Sequence, residues 1–255
     1  MSINRNCCSR FITLCGLFLV ALSALGDDRS ITPQKSNDGA KYSKDGTMLL
    51  SCPKDVKSFT IPSSVTEIEE GAFEDCGSLE SIEAASDNTK YCSIDGVLYS
   101  KDRKVLVRCP EGKTSITIPS SAITIEEAAF YGCGSLASIT IPSSVTEIGG
   151  WAFMGCGSLE SITIPSSVTE IGGMAFSGCG SLSSITIPSS VMEIESETFY
   201  NCRSLTSITI PSSVTKIGFL AFSGCPELTL IAERGSTAWK YAEKFKIPVR
   251  EPEEQ

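Results

Sequence analysis

Five prolines, Pro119, Pro142, Pro165, Pro188 and Pro211, stand 23 residues apart, and a sixth copy of the surrounding phrase is centred on Pro62. One central copy runs from Cys133 through Leu136, Ile139, Ile141, Pro142, Val145, Ile148, Ala152 and Phe153 to Cys156, where the next copy begins. A segment that closes on itself at this period cannot bury its apolar face alone. It does so only by stacking on its neighbours, which predicts a solenoid whose stability is shared along the array.

Within the unit, Ile139 and Ile141 alternate with Ser138 and Thr140, the period of a strand with one buried face. Pro142 ends that strand because it has no amide proton to donate. Ser143-Ser144 reads as a turn, Val145 to Ile148 as a second short extended piece, and Gly149-Gly150 as a bend. The Ala-Phe-x-Gly-Cys segment is too short for a free helix, so one helical or 3₁₀ turn held by packing is expected. Seven positions face inward on this reading: Leu136, Ile139, Ile141, Val145, Ile148, Phe153 and Cys156.

The pattern Leu-x-x-Ile-x-Ile-Pro-x-x-Val-x-x-Ile-x-x-x-Ala-Phe-x-x-Cys, as Leu159 to Cys179 has it, resembles the bacterial BspA-type leucine-rich repeat over about residues 40 to 248. The resemblance implies a right-handed superhelix of short β-strands and short helical or 3₁₀ turns. Departures are local: Thr198 for the usual Ala, Pro226-Glu227 for Gly-Ser, and Ala122 to Ile125 in one turn. Members of the family resemble adhesins and binders of host matrix or of other bacteria, and carrying that over rests on fold alone.

The order of segments follows from composition. Residues 1–26 read as a secretion signal, with Arg5 and Arg10 before an apolar run from Phe11 to Leu25. At 15 residues that run is short for a membrane span, so the membrane enters only if this segment stays uncleaved. Residues 27–39 read as a flexible lead, 40–56 as a hairpin cap and 57–235 as the repeat array. Pro62 and Pro119 lie 57 residues apart, so the array is interrupted by an insertion at about 84–115, a meander turning at Asp95-Gly96. The cap shares its text: Tyr42-Ser-Lys-Asp45 and Cys52-Pro53 match Tyr99-Ser-Lys-Asp102 and Cys109-Pro110. Residues 236–255 offer a helical cap and tail, with Ser236 as N-cap and Ala238, Tyr241, Ala242 and Phe245 at helical spacing.

The net charge is −9, and losing Arg5 and Arg10 with the signal makes it two units more negative. Such a surface disfavours nucleic acid and anionic lipid. Cys76, Cys133, Cys156, Cys179, Cys202 and Cys225 share one repeat position, without the tight pairing of zinc ligands. In-register side chains hold their Cβ atoms near the coil spacing, wider than a bridge prefers, so a column of buried thiols is expected. Cys52, Cys92 and Cys109 fall outside that column, and pairing among them stays open.

The chain has no histidine, the commonest general base. Asp45-Gly46 and Asp95-Gly96 lack the spaced acidic ligands of a calcium loop, and Gly149-Gly150 recurs with the coil instead of cradling phosphate. No enzyme, cofactor or metal is therefore expected, and Glu69-Glu70 and Glu126-Glu127 read as solvated pairs. Two surfaces are candidates for binding. On the strand side, Ser138, Ser161 and Ser184 align beside Thr140, Thr163 and Thr186, a hydroxyl ladder suited to an extended partner or a glycan. On the turn side, Tyr131, Trp151, Met154, Met174, Tyr200, Phe219 and Leu220 occupy slots that other copies fill with Gly, Ser or Glu. Aromatic residues and Met are enriched where proteins meet. The expectation is a secreted or cell-surface protein that recognises an extracellular or surface protein, with an envelope-organising repeat protein as the alternative.

Overall fold

The computed structural model describes residues 34–35 and 39–253. The secretion signal and most of the lead fall outside them. Within the lead, Gln34–Lys35 pairs antiparallel with Lys41–Tyr42, so this end of the stretch joins the cap sheet.

Each coil contributes to two columns of parallel strands. The Ser-Ile-Thr strands stack in register, Ser138–Thr140 on Ser161–Thr163 and Ser184–Thr186 on Ser207–Thr209. The Glu-Ile strands form the second column, Glu147–Ile148 on Glu170–Ile171 and Glu193–Ile194 on Lys216–Ile217. All seven positions expected to face inward are buried. Burial of branched apolar side chains at about 1.5–3 kcal/mol each is the main term favouring the stack.

The Ala-Phe-x-Gly-Cys turn takes a form that periodicity does not disclose. Ala152, Met154 and Cys156 donate back three residues, to Gly149, Trp151 and Phe153. Between them, Trp151, Phe153 and Gly155 donate to Gly173, Ala175 and Ser177 of the next coil. The expected helical turn is thus a chain of hydrogen-bonded turns that doubles as a third inter-coil ladder. Phe130, Phe153, Phe176, Phe199 and Phe222 stack along it, with ring centroids 4.8, 5.3, 5.5 and 5.7 Å apart.

The cysteine column has its own bonding. The thiols of Cys156, Cys179, Cys202 and Cys225 donate to the carbonyls of Phe130, Phe153, Phe176 and Phe199 in the preceding coils, at 3.1–3.2 Å. Every described cysteine is free. Burial pushes the Cys179 thiol up to about 12 and raises Cys156 well above its ordinary value, so both stay protonated donors. Cys52 and Cys109 do not lie apart from the column, as their sequence position suggests. Their N–H groups bond Ala72 and Ala129, the bond that Phe makes in later coils, and each sits against the next thiol, Cys76 or Cys133.

The insertion is the expected antiparallel meander, Tyr91–Ile94, Val97–Ser100 and Val105–Arg108, turning at Asp95 and Gly96 with φ of 51° and 74°. Its third strand pairs parallel with Thr124–Ile125 and so enters the Glu-Ile column. Met48–Ser51 does the same for Glu67–Ile68 at the amino end. The meander also divides the core: Leu98 packs with the first coil, while Val97, Tyr99 and Leu106 pack with the long array.

Close approach at the bends depends on glycine. A Cβ at Gly149, Gly172 or Gly218 would lie 2.4–2.6 Å from a backbone nitrogen of the preceding coil. Between the coils of Gly172 and Glu195 a carbonless side chain is missing from the later one, and there neither strand column is hydrogen-bonded across the junction. The turn ladder persists, through Met174 to Ser196 and Phe176 to Thr198.

The C-terminal helix is Thr237–Phe245, with the Ser236 hydroxyl accepting the Trp239 N–H. It buries Ala238 and Ala242 and sets Tyr241 edge-on to Phe222, closing the aromatic stack. Phe245, expected on the same face, is 53 % exposed. Val249–Arg250 adds the last parallel strand, against Thr229–Ile231.

Candidate functional site

The strand side carries the hydroxyl ladder as read from sequence. Ser138, Thr140, Ser161, Thr163, Ser184 and Thr186 are exposed, with Ser and Thr partners in register across each paired junction. The surface is flat and unbroken by large side chains. Threonine suits such a position by strand propensity alone.

The turn side separates into two groups. Trp151 and Met174 are half-buried, and the indole N–H of Trp151 meets the Met174 sulfur at 2.8 Å, so they cover one another across the coil junction. Tyr131 is half-buried beneath the Arg108 guanidinium, 5.9 Å from its ring centroid, and Met154 is half-buried. Tyr200, Phe219 and Leu220 are exposed, Phe219 by 71 %. They lie on adjacent coils, linked by the Glu197 N–H on the Phe219 carbonyl.

Backbone conformation sharpens this contrast. Ala128, Trp151, Met174, Glu197 and Leu220 share one repeat position, and all have φ between 52° and 58°. A left-handed conformation costs a bulky residue roughly 1–2 kcal/mol. Gly71 fills that position in the first coil, with φ of 81°. Trp151 and Met174 offset the cost by packing together; Leu220 remains exposed.

A further site comes from residues that sequence reasoning set aside. Glu69-Glu70 and Glu126-Glu127, read as separate solvated pairs, line one cleft of about 470 Å³ between the first coil and the meander. Burial raises the Glu127 carboxyl, and Glu70 across the cleft raises it further. Burial likewise raises Glu126, with Glu127 adding to it. The pairs lie 57 residues apart, so only the stacking of coils brings them together. Among the described residues, no group of three or more His, Cys, Asp or Glu is placed to hold a metal ion.

These features agree with the family pattern. The BspA type leucine rich repeat region matches residues 47–94 and 108–229 in six copies, and the chain belongs to that family. It is similar to a leucine-rich repeat protein from Eubacterium ventriosum, at 32% identity and TM-score 0.66 over 70% of this chain and 49% of that one. It is similar also to a leucine rich cell surface protein from Faecalibacterium prausnitzii, at 40% identity and TM-score 0.66 over 73% of this chain and 50% of that one. This chain therefore spans about half the length of each. A likeness to the pneumococcal vaccine antigen PcpA, at 18% identity and TM-score 0.58 over 82% of this chain and 58% of that one, is one of fold. No curated protein matches the sequence. Among the described residues no helix is long and apolar enough to cross a membrane.

Proposed function

We propose that this chain is an exported, non-catalytic recognition protein of the bacterial surface, and that it binds a protein partner through its turn side. The observation that carries this reading is the exposed cluster of Tyr200, Phe219 and Leu220. Core positions scarcely vary between coils, yet these slots hold Gly, Ser or Glu elsewhere and large apolar groups here. A contiguous apolar patch of this kind marks a protein contact more often than isolated exposed residues do. The Faecalibacterium relative, described as a cell surface protein, supports the location, and the lack of histidine supports a role without covalent chemistry.

The test is capture of surface and extracellular proteins by the intact chain, quantified against two folded variants. Tyr200→Ser with Phe219→Ser and Leu220→Ser is expected to lose the captured partner, while Thr140→Ala with Thr163→Ala and Thr186→Ala retains it. Capture unaffected by the first variant and abolished by the second would move recognition to the hydroxyl ladder, glycan partners included. Capture of nothing by the native chain would favour an envelope-organising role.

A further inference from the structure

The geometry points to the cleft between the first coil and the meander as a docking groove for an extended, basic peptide segment of a partner protein. The first coil ends in an open backbone edge. In later coils the Phe N–H donates to the following coil, as Phe130, Phe153, Phe176 and Phe199 do, but Phe73 N–H has no backbone acceptor. Glu67–Ile68 likewise pairs with Met48–Ser51 on one side and ends its sheet on the other. Both lie where the meander replaces the coil that would otherwise stack there.

The cleft fronts this edge. Ile68 to Phe73 form one wall, and Tyr91, Val105, Val107 and Ala128 belong to the other. An edge with free main-chain groups beside a partly apolar groove is the arrangement that adds an extended peptide as a further strand. The rim decides the charge of that peptide. Glu69 and Glu70 face Glu126 and Glu127, and the upward shifts of Glu126 and Glu127 show that these carboxylates burden one another. The one cation in the lining, Arg108, is already engaged: it bonds the Ala128 and Tyr131 carbonyls and the Glu111 carboxylate through its terminal nitrogens. Its buried Nε–H has no acceptor, a position that a peptide carbonyl would satisfy. Lysine or arginine side chains alternating along an extended segment would meet the rim while its backbone meets the edge.

Selection of a random linear heptapeptide library against the intact chain, followed by titration of the enriched peptides, tests this. Enriched peptides are expected to be rich in Lys and Arg, to weaken as salt rises, and to bind about tenfold more weakly when Glu69, Glu70, Glu126 and Glu127 are all changed to Gln. Methylating alternate backbone nitrogens of a winning peptide is expected to abolish binding, which charge attraction alone would not. No enrichment, enrichment without basic bias, or binding that survives the Gln variant would each overturn the proposal. So would occupation of the cleft by a second copy of the chain, seen as concentration-dependent dimerisation lost in that variant. The Tyr200, Phe219 and Leu220 variant is expected to leave peptide binding unchanged, so this groove and the turn-side reading fail separately.

Discussion

Replacing Gly172 with Ala separates two opposite expectations. Gly172 does not have a positive φ, so Ala fits its backbone, and lower freedom of the unfolded chain would by itself stabilise the protein by about 0.4–1 kcal/mol. Against that, the new Cβ would lie 2.4 Å from Gly150 N and 2.8 Å from Gly149 C and Gly150 Cα, all backbone atoms of the neighbouring coil. Backbone cannot swing aside as a flexible side chain does. Relief requires the coils to part, stretching the Gly172 N–H bond to Ile148 O and the Thr169 N–H bond to Thr146 O, both 2.9 Å. Overpacking of this kind costs about 1–3 kcal/mol, so the expected net is a loss of about 1–2 kcal/mol. Urea unfolding would show it as a lower midpoint at unchanged slope, and amide exchange would speed at Thr169 and at position 172. Gly157→Ala is the control: its Cβ would meet only Gly155 O, at 3.9 Å, so stability should hold or rise. An unchanged or raised midpoint for Gly172→Ala would refute the argument that glycine sets the coil spacing, and with it the account of the unpaired junction at Glu195.

Other expectations concern the core, pH and thiols. Phe176→Ala removes a fully buried ring stacked on both sides and is expected to cost about 3–5 kcal/mol in chemical unfolding. Glu111, Glu126, Glu127 and Glu195 have carboxyls raised chiefly by burial, so folding is penalised while they are charged. Thermal midpoints should therefore rise as pH falls from neutrality toward the ordinary Glu value of about 4.3. Below about pH 4 the sign reverses, because Asp45, held at about 2 by bonds from Ser43 and Thr47, and Asp102 lose stabilising bonds on protonation. A midpoint that falls steadily from pH 7 to 5 would contradict this. Timed alkylation read by mass spectrometry should modify Cys225 first, since it is half-buried and its thiol is lowered by the Cys202 hydrogen bond, while Cys156 and Cys179 react only on unfolding.

The period of 23, the inward set from Leu136 to Cys156, the meander at Asp95-Gly96 and the Ser236 cap were all legible in the sequence. Each depends on the spacing of residues along one coil or one helix, and local periodicity carries that information. The two candidate faces were legible as columns for the same reason. What periodicity cannot carry is the relation between coils. That Trp151 and Met174 cover one another while Tyr200, Phe219 and Leu220 stay exposed depends on contacts across a junction. The thiol bonds to preceding Phe carbonyls, the extension of the thiol column to Cys52 and Cys109, and the alternating turn ladder arise the same way. The acidic cleft is the furthest case: its carboxylate pairs meet only because a meander stands where a coil would otherwise stack. Sequence thus determined each rung, because a rung is built from near neighbours; the tertiary structure alone decided the gaps between rungs, because those depend on how closely two backbones can approach.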